Sequence, residues 1–174
     1  MAYTWKQKTV KKEYPVTPER IFNYSTWLLQ RADQTLARLT QKLNFKFNEH
    51  PQWVSDCIKK LEEMDYVNDA RYIEGITDSL LNKNIGINKI KQKLYEKQFP
   101  KDLIEQISEK LTEADYSDKA MELVSNKFKD KPIDDYKIKV KAQQFLVTRG
   151  FSFKEAMDTV NQYMLEQNKE EDYE

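Results

Sequence analysis

The chain reads as an all-α protein of three tandem three-helix repeats, and three observations lead there. First, its apolar pattern and turn residues recur with a period of about fifty residues. Second, only 3 Gly and 5 Pro occur among 174 residues, too few for the tight turns of a sheet-rich fold. Third, the segments between turns carry apolar residues at helical spacing in a background of Lys, Glu, Gln and Leu, all good helix formers. Leu36, Leu39 and Leu43 match Ile87, Ile90 and Leu94, with Gln41-Lys42 ahead of Leu43 and Gln92-Lys93 ahead of Leu94. Met64-Asp65-Tyr66 before a helix carrying Ala70 returns as Ala114-Asp115-Tyr116 before one carrying Ala120. In a looser third copy, Gln144-Phe145-Leu146 takes the place of Gln92-Lys93-Leu94, and Phe151 follows Leu146 as Phe99 follows Leu94. Repeats of this length stack as supersecondary units and present an extended surface, so binding is the first functional expectation.

The elements follow in order. Residues 1–16 form a basic N-terminal arm without helical periodicity, and residues 168–174 an acidic tail. Repeat 1, residues 17–66, is expected to hold helices over 18–30, 33–43 and 51–64, with Pro18 and Pro51 at helix starts, where a missing amide hydrogen costs nothing. Repeat 2, residues 67–115, opens with a helix capped by Asn68 or Asp69 and running to about Asn82. Asn84-Ile85-Gly86 breaks it, the next helix spans about 87–98, and the third has Pro100 at its first helical position and continues through Leu111. Repeat 3, residues 116–167, takes helices over 117–128, 134–148 and 152–167. Arg149 and Gly150 close its middle helix, and Lys129 to Ile133, with Pro132, reads as a loop. Ser152 and Glu155 make a capping box, with Phe151 as its hydrophobic staple.

Net charge is +0, yet the charges are sorted. Lys83, Lys89, Lys91, Lys93, Lys97 and Lys101 face only Glu96 in their stretch, and Lys137, Lys139, Lys141 and Arg149 face no acid at all. The acids gather over 102–122 and at the C-terminus. Such blocks polarise a neutral protein and create positive stripes able to meet phosphates or an acidic partner. Helical spacing puts Lys89, Lys93 and Lys97 in one outward row and Lys137 with Lys141 in a comparable one. A solvated helix face is the plainer account of either row alone; equivalent rows in successive repeats make coincidence a weaker account and leave the two readings balanced.

No catalytic signature occurs: neither a GxxxxGK[ST] loop, an HExxH pair, a GxSxG elbow nor a paired cysteine motif. The expectation is a binding protein, not an enzyme, without metal or cofactor. His50 precedes Pro51 and suits a surface or capping role, and Cys57 lies with Val54, Ile58 and Leu61 on an apolar face as an inert thiol. Core packing accounts for Trp27, Trp53, Phe99, Phe145 and Phe151, while Tyr3 and Trp5 in the arm stand apart. The opening segment lacks the apolar stretch of a signal peptide and no long apolar run occurs, so a soluble cytoplasmic protein is expected.

Asn68-Asp69-Ala70-Arg71-Tyr72 resembles the Asp-x-Arg-aromatic signature that opens the second repeat of the RecX family. The run from Asn84-Ile85-Gly86 to Leu94 is similar to that family's next helix, and Thr148-Arg149-Gly150-Phe151-Ser152-Phe153 to its Arg-Gly-Phe-Ser-Phe motif. The resemblance extends from about Ile21 to Met164; Asn44-Phe45-Lys46-Phe47 departs from it where the family often has a Gly turn. It marks Asp69, Arg71, Tyr72, Gly86, Gly150 and Phe151 as family-motif residues. It implies an elongated, curved monomer that binds the RecA filament on DNA, away from membranes, and suppresses strand exchange, ATP hydrolysis and coprotease activity in DNA repair and the SOS response. Single- or double-stranded DNA is a further partner, and the contacts fall to the lysines above and Arg149. The other class that fits the residues is a helical-repeat adaptor whose basic faces meet another acidic protein or nucleic acid.

Overall fold

The structure, a computed structural model, describes residues 15–113, 117–129 and 136–171. The basic arm up to Tyr14, the Asp115-Tyr116 junction, most of the Pro132 loop and the end of the acidic tail lie outside these residues. Among the described residues all regular structure is helical: α1 (Pro18–Arg31), α2 (Leu36–Lys46), α3 (Pro51–Glu63), α4 (Asp69–Leu81), α5 (Ile87–Glu96), α6 (Lys101–Glu113), α7 (Ser117–Phe128), α8 (Tyr136–Thr148) and α9 (Phe153–Glu171). They pack as α1–α2–α3, α4–α5–α6 and α7–α8–α9.

The middle helices show why the pattern folds this way. Leu39 and Leu43 of α2, Ile90 and Leu94 of α5, and Leu146 of α8 are all 0% exposed. Each helix therefore drives the same stripe into its bundle. Two of these helices end identically: Phe99 N–H donates to Leu94 carbonyl and Phe151 N–H to Leu146 carbonyl, around Gln98 (φ 62°) and Gly150 (φ 97°). This is the Schellman turn, and the aromatic that follows it closes the core. Asp65 (φ 54°) repeats the device after α3, with Tyr66 N–H on Leu61 carbonyl.

Several starts differ from expectation. Helix α2 begins at Leu36, not Asp33, because Thr35 Oγ1 accepts from Arg38 N–H and makes Thr35 the cap. Asn68, not Asp69, caps α4, its Oδ1 accepting from Arg71 N–H at 2.9 Å. Pro100 sits one residue outside α6 and supplies the carbonyl for Ile104 N–H. Helix α5 ends at Glu96, two residues before the expected limit, and α9 runs to Glu171, into the segment read as a tail. The predicted start of α8 at Asp134 lies outside the described residues. The capping box is present, with Ser152 N–H on Glu155 carboxylate at 2.6 Å and Glu155 N–H on Ser152 Oγ at 3.2 Å.

The core is in two parts. One cluster is built on repeat 1, around Ile21, Leu39, Leu43, Val54 and Leu61, and takes in Val67 at the start of repeat 2. The other runs unbroken through repeats 2 and 3, from Ile73 and Leu94 to Leu146 and Val160.

Candidate functional site: a basic ribbon on stacked middle helices

The middle helices meet end to end. At the junction of repeats 2 and 3, Gly86 N–H donates to Arg149 carbonyl at 2.9 Å and Asn88 N–H to Gly150 carbonyl at 3.0 Å. The unpaired amides that open α5 thus satisfy unpaired carbonyls that close α8, so the positive end of one helix dipole meets the negative end of the other. At the other junction, Thr35 hydroxyl, at the start of α2, donates to Lys97 carbonyl, at the end of α5, at 2.8 Å. Leu36 N–H meanwhile donates to Asp69 carboxylate at 2.9 Å. The order is α8, α5, α2, each C-terminus against the next N-terminus.

The family-motif residues sit at these junctions. Asp69 is half-buried between repeats 1 and 2; desolvation pushes its carboxyl above the ordinary range, partly offset by the bond from Leu36 N–H. Tyr72 packs its ring 5.2 Å from that of Phe99, with Lys97 Nζ 3.4 Å from its hydroxyl. Arg71 pairs with Asp65, and the bonds from Asn68 and Arg71 hold the Asp65 carboxyl below the ordinary range. Gly86 and Gly150 lie back to back: a Cβ on Gly86 would run into the Gly150 backbone, and one on Gly150 into Lys89. Phe151 is buried. Asp69, Arg71, Gly86 and Gly150 thus make contacts between repeats, a placement the sequence alone did not disclose.

The predicted lysines divide. Lys89, Lys93 and Lys97 share one flank of α5, but they are half-buried shoulders of the core stripe and not an outward row; the solvent face of α5 is Asn88, Gln92, Tyr95 and Glu96. Lys89 Nζ donates to Thr148 carbonyl at 3.0 Å, so it ties α5 to the end of α8. Lys137 and Lys141 are exposed on α8, with half-buried Arg149 at its end. Lys139 is half-buried at a position equivalent to Ile87. Lys83, in the α4–α5 turn, and Lys91, on the opposite flank of α5, stand apart from the row.

One set of cations escaped the reading from sequence. The alignment that pairs Leu43, Leu94 and Leu146 also pairs Arg38 with Lys89 and Lys141, Lys42 with Lys93 and Phe145, and Lys46 with Lys97 and Arg149. All three middle helices therefore carry the row, and where α8 has Phe145, Lys127 of α7 places its Nζ 3.9 Å over that ring. Arg38, Lys42 and Lys97 line one cleft of ≈ 350 Å³ between repeats 1 and 2, so the row crosses the junction. Its cations are spread at intervals of four along α2, and a search by charge density passes over them.

Other expectations are also corrected. Trp27 is 46% exposed and is not core; Trp53 and Phe145 are half-buried. His50 makes no capping bond with its side chain and instead stacks on Trp53 at 4.4 Å. Cys57 is buried 3.5 Å from Ser25 Oγ, and desolvation raises its thiol above its ordinary value. No described helix is long and apolar enough to cross a membrane.

The architecture defines a class: an all-helical protein of tandem three-helix repeats. The family model described as RecX, third three-helix domain, matches residues 113–160. Regulatory protein RecX of Vibrio parahaemolyticus is 31% identical over 126 residues, which cover 72% of this chain and 80% of that one. Regulatory protein RecX of Streptococcus thermophilus is 29% identical over 127 residues, 72% of this chain and 49% of its own length. The chain thus spans about half the length of its streptococcal relatives. The crystal structure of RecX from Lactobacillus salivarius shares the fold with a TM-score of 0.74 at 23% identity, covering 85% of this chain and 97% of that one. The chain belongs to the RecX family.

Proposed function

We propose that this chain acts as the family resemblance implies: it binds a RecA filament on DNA in the cytoplasm and restrains its activities, with the ribbon as its contact surface. The observation that carries this reading is the basic row repeated at equivalent positions of three middle helices stacked head to tail. These helices, of 11, 10 and 13 residues, have a combined axial length of about 50 Å at 1.5 Å per residue. A surface spread over three successive helices joins many modest contacts, and avidity multiplies them. Lysine acts here as a point charge toward acidic protomer surfaces or phosphates, so no base sequence is read.

Lys93→Glu with Lys141→Glu tests the ribbon without disturbing the bond from Lys89 to Thr148. The double variant is expected to keep its helical circular dichroism, inhibit RecA ATP hydrolysis on single-stranded DNA less well, and show a flatter salt dependence, since fewer ion contacts remain to be screened. Inhibition equal to the parent's at every salt concentration overturns the reading.

A further inference from the structure

The groove between α1 and α3 is separate from the ribbon, and no cation of the ribbon lines it. Glu19 and Phe22 of α1 border it with Trp53, Asp56, Cys57 and Lys60 of α3, around a volume of ≈ 460 Å³. Phe22 and Trp53 are half-buried walls, and Cys57, 6% exposed, lies beneath them. His50 stacks on Trp53 at 4.4 Å from outside the groove, which leaves the other side of that ring open to an occupant. Over Phe22 stands only the exposed Lys60, its Nζ 4.9 Å from the ring centroid. The two acids at the rim, Glu19 and Asp56, are exposed and form no ion pair among the described residues.

An occupant with matching chemistry belongs to this chain. The arm carries Lys6, Lys8, Lys11 and Lys12 against Glu13 alone, together with Tyr3 and Trp5, the aromatics that core packing does not absorb. The chain also leads to the groove. Val16 packs on the repeat 1 core and the Pro15 carbonyl lies 3.5 Å from Arg20 Nη1, so the arm joins α1 close against the first turn, where Pro18 and Glu19 border the groove. Trp5 stands ten positions ahead of Pro15, a reach of about 33 Å when extended. From Trp53 to Lys60 the groove follows α3 for only about 10 Å. We propose that the arm seats itself in this groove, Trp5 against Trp53 and Phe22 and its lysines on Glu19 and Asp56. Tethering raises the arm's effective concentration into the millimolar range, so one aromatic contact flanked by ion pairs holds it. An acidic peptide or a nucleic-acid strand would instead meet two unpaired carboxylates. The site involves no recombinase and no ribbon residue, so it goes beyond the ribbon reading, and its failure leaves the Lys93 and Lys141 test of that reading intact.

Cys57 is the chain's single cysteine, so its alkylation reports on the groove without ambiguity. The experiment measures, by mass spectrometry, the rate at which iodoacetamide modifies Cys57 in the native full chain. Trp5→Ala is expected to raise that rate by about tenfold, the equilibrium factor for losing one buried aromatic side chain. Trp5→Phe keeps a ring for the groove and holds the parent's rate. Both variants keep the parent's helical circular dichroism, which separates uncovering of the groove from loss of the fold. In the parent, a zero-length carbodiimide is expected to join arm lysines to Glu19 or Asp56 within one chain. The proposal is overturned if Trp5→Ala is alkylated no faster than the parent, if Trp5→Phe reacts as fast as Trp5→Ala, or if the arm lysines cross-link to other acids. Protection of Cys57 that grows with protein concentration also overturns it, since another copy's arm would then fill the groove.

Discussion

Leu94 carries the logic of the fold in one side chain. It lies on the inward stripe of α5, is 0% exposed, and its carbonyl accepts from Phe99 N–H in the turn that closes the helix. Leu94→Ala is expected to cost about 2 to 5 kcal/mol, from lost burial and the cavity left behind, as measured by chemical denaturation. A cost under about 1 kcal/mol would mean the site collapses freely, which the shared core of repeats 2 and 3 argues against. The two leucines matched to it, Leu43 and Leu146, are equally buried. Phe45 makes the opposite case: Phe47, two residues on, obeys the core pattern, whereas Phe45 does not and faces water at 87% exposure.

Among the elements, the α4–α5 connection matters most because it joins two repeats as well as two helices. Gly86 opens α5 with its amide on Arg149 carbonyl, so close to Gly150 that no side chain fits between them. Gly86→Ala is expected to destabilise repeats 2 and 3 by about 1 to 3 kcal/mol, the usual cost of overpacking, since the colliding atoms are backbone and have nowhere to go. Gly75, inside α4, has open space where its Cβ would stand. Gly75→Ala is expected to stabilise by about 0.5 to 1 kcal/mol through helix propensity. Thermal denaturation of the pair distinguishes a junction glycine from an ordinary helical one; equal and small effects would show the junction to be loose.

At the scale of the whole molecule, the two junctions are built differently. Repeats 2 and 3 share one apolar core, whereas repeat 1 has a separate core that takes in only Val67 of repeat 2, and meets repeat 2 mainly through Thr35, Asp69 and clefts of ≈ 470 and ≈ 350 Å³. Polar contacts of this kind couple units weakly compared with continuous apolar burial. Unfolding is therefore expected in two steps. The described tryptophans, Trp27 and Trp53, both lie in repeat 1, and Trp5 precedes it. Tryptophan fluorescence follows repeat 1 while far-ultraviolet circular dichroism follows every helix, so the two denaturation curves should not coincide. Coincident curves would show that the polar junction couples all three repeats into one cooperative unit.

The sequence by itself determined the helices, their number within each repeat and the inward stripe, because these depend on local spacing: leucines every three or four residues leave a helix one way to face its core. It also held the full basic row, legible once Arg38, Lys42 and Lys46 are placed beside their counterparts. Only the tertiary structure decided which cations are shoulders of the core, that Lys89 serves a junction, that Asp69 receives an amide from another repeat, and that Trp27 and Phe45 face water. Those outcomes depend on contacts between residues more than thirty positions apart, such as Leu36 with Asp69 and Lys89 with Thr148. No periodicity encodes such pairs; they follow from how the ends of α8, α5 and α2 meet, where each helix terminus satisfies the polar groups the next leaves open.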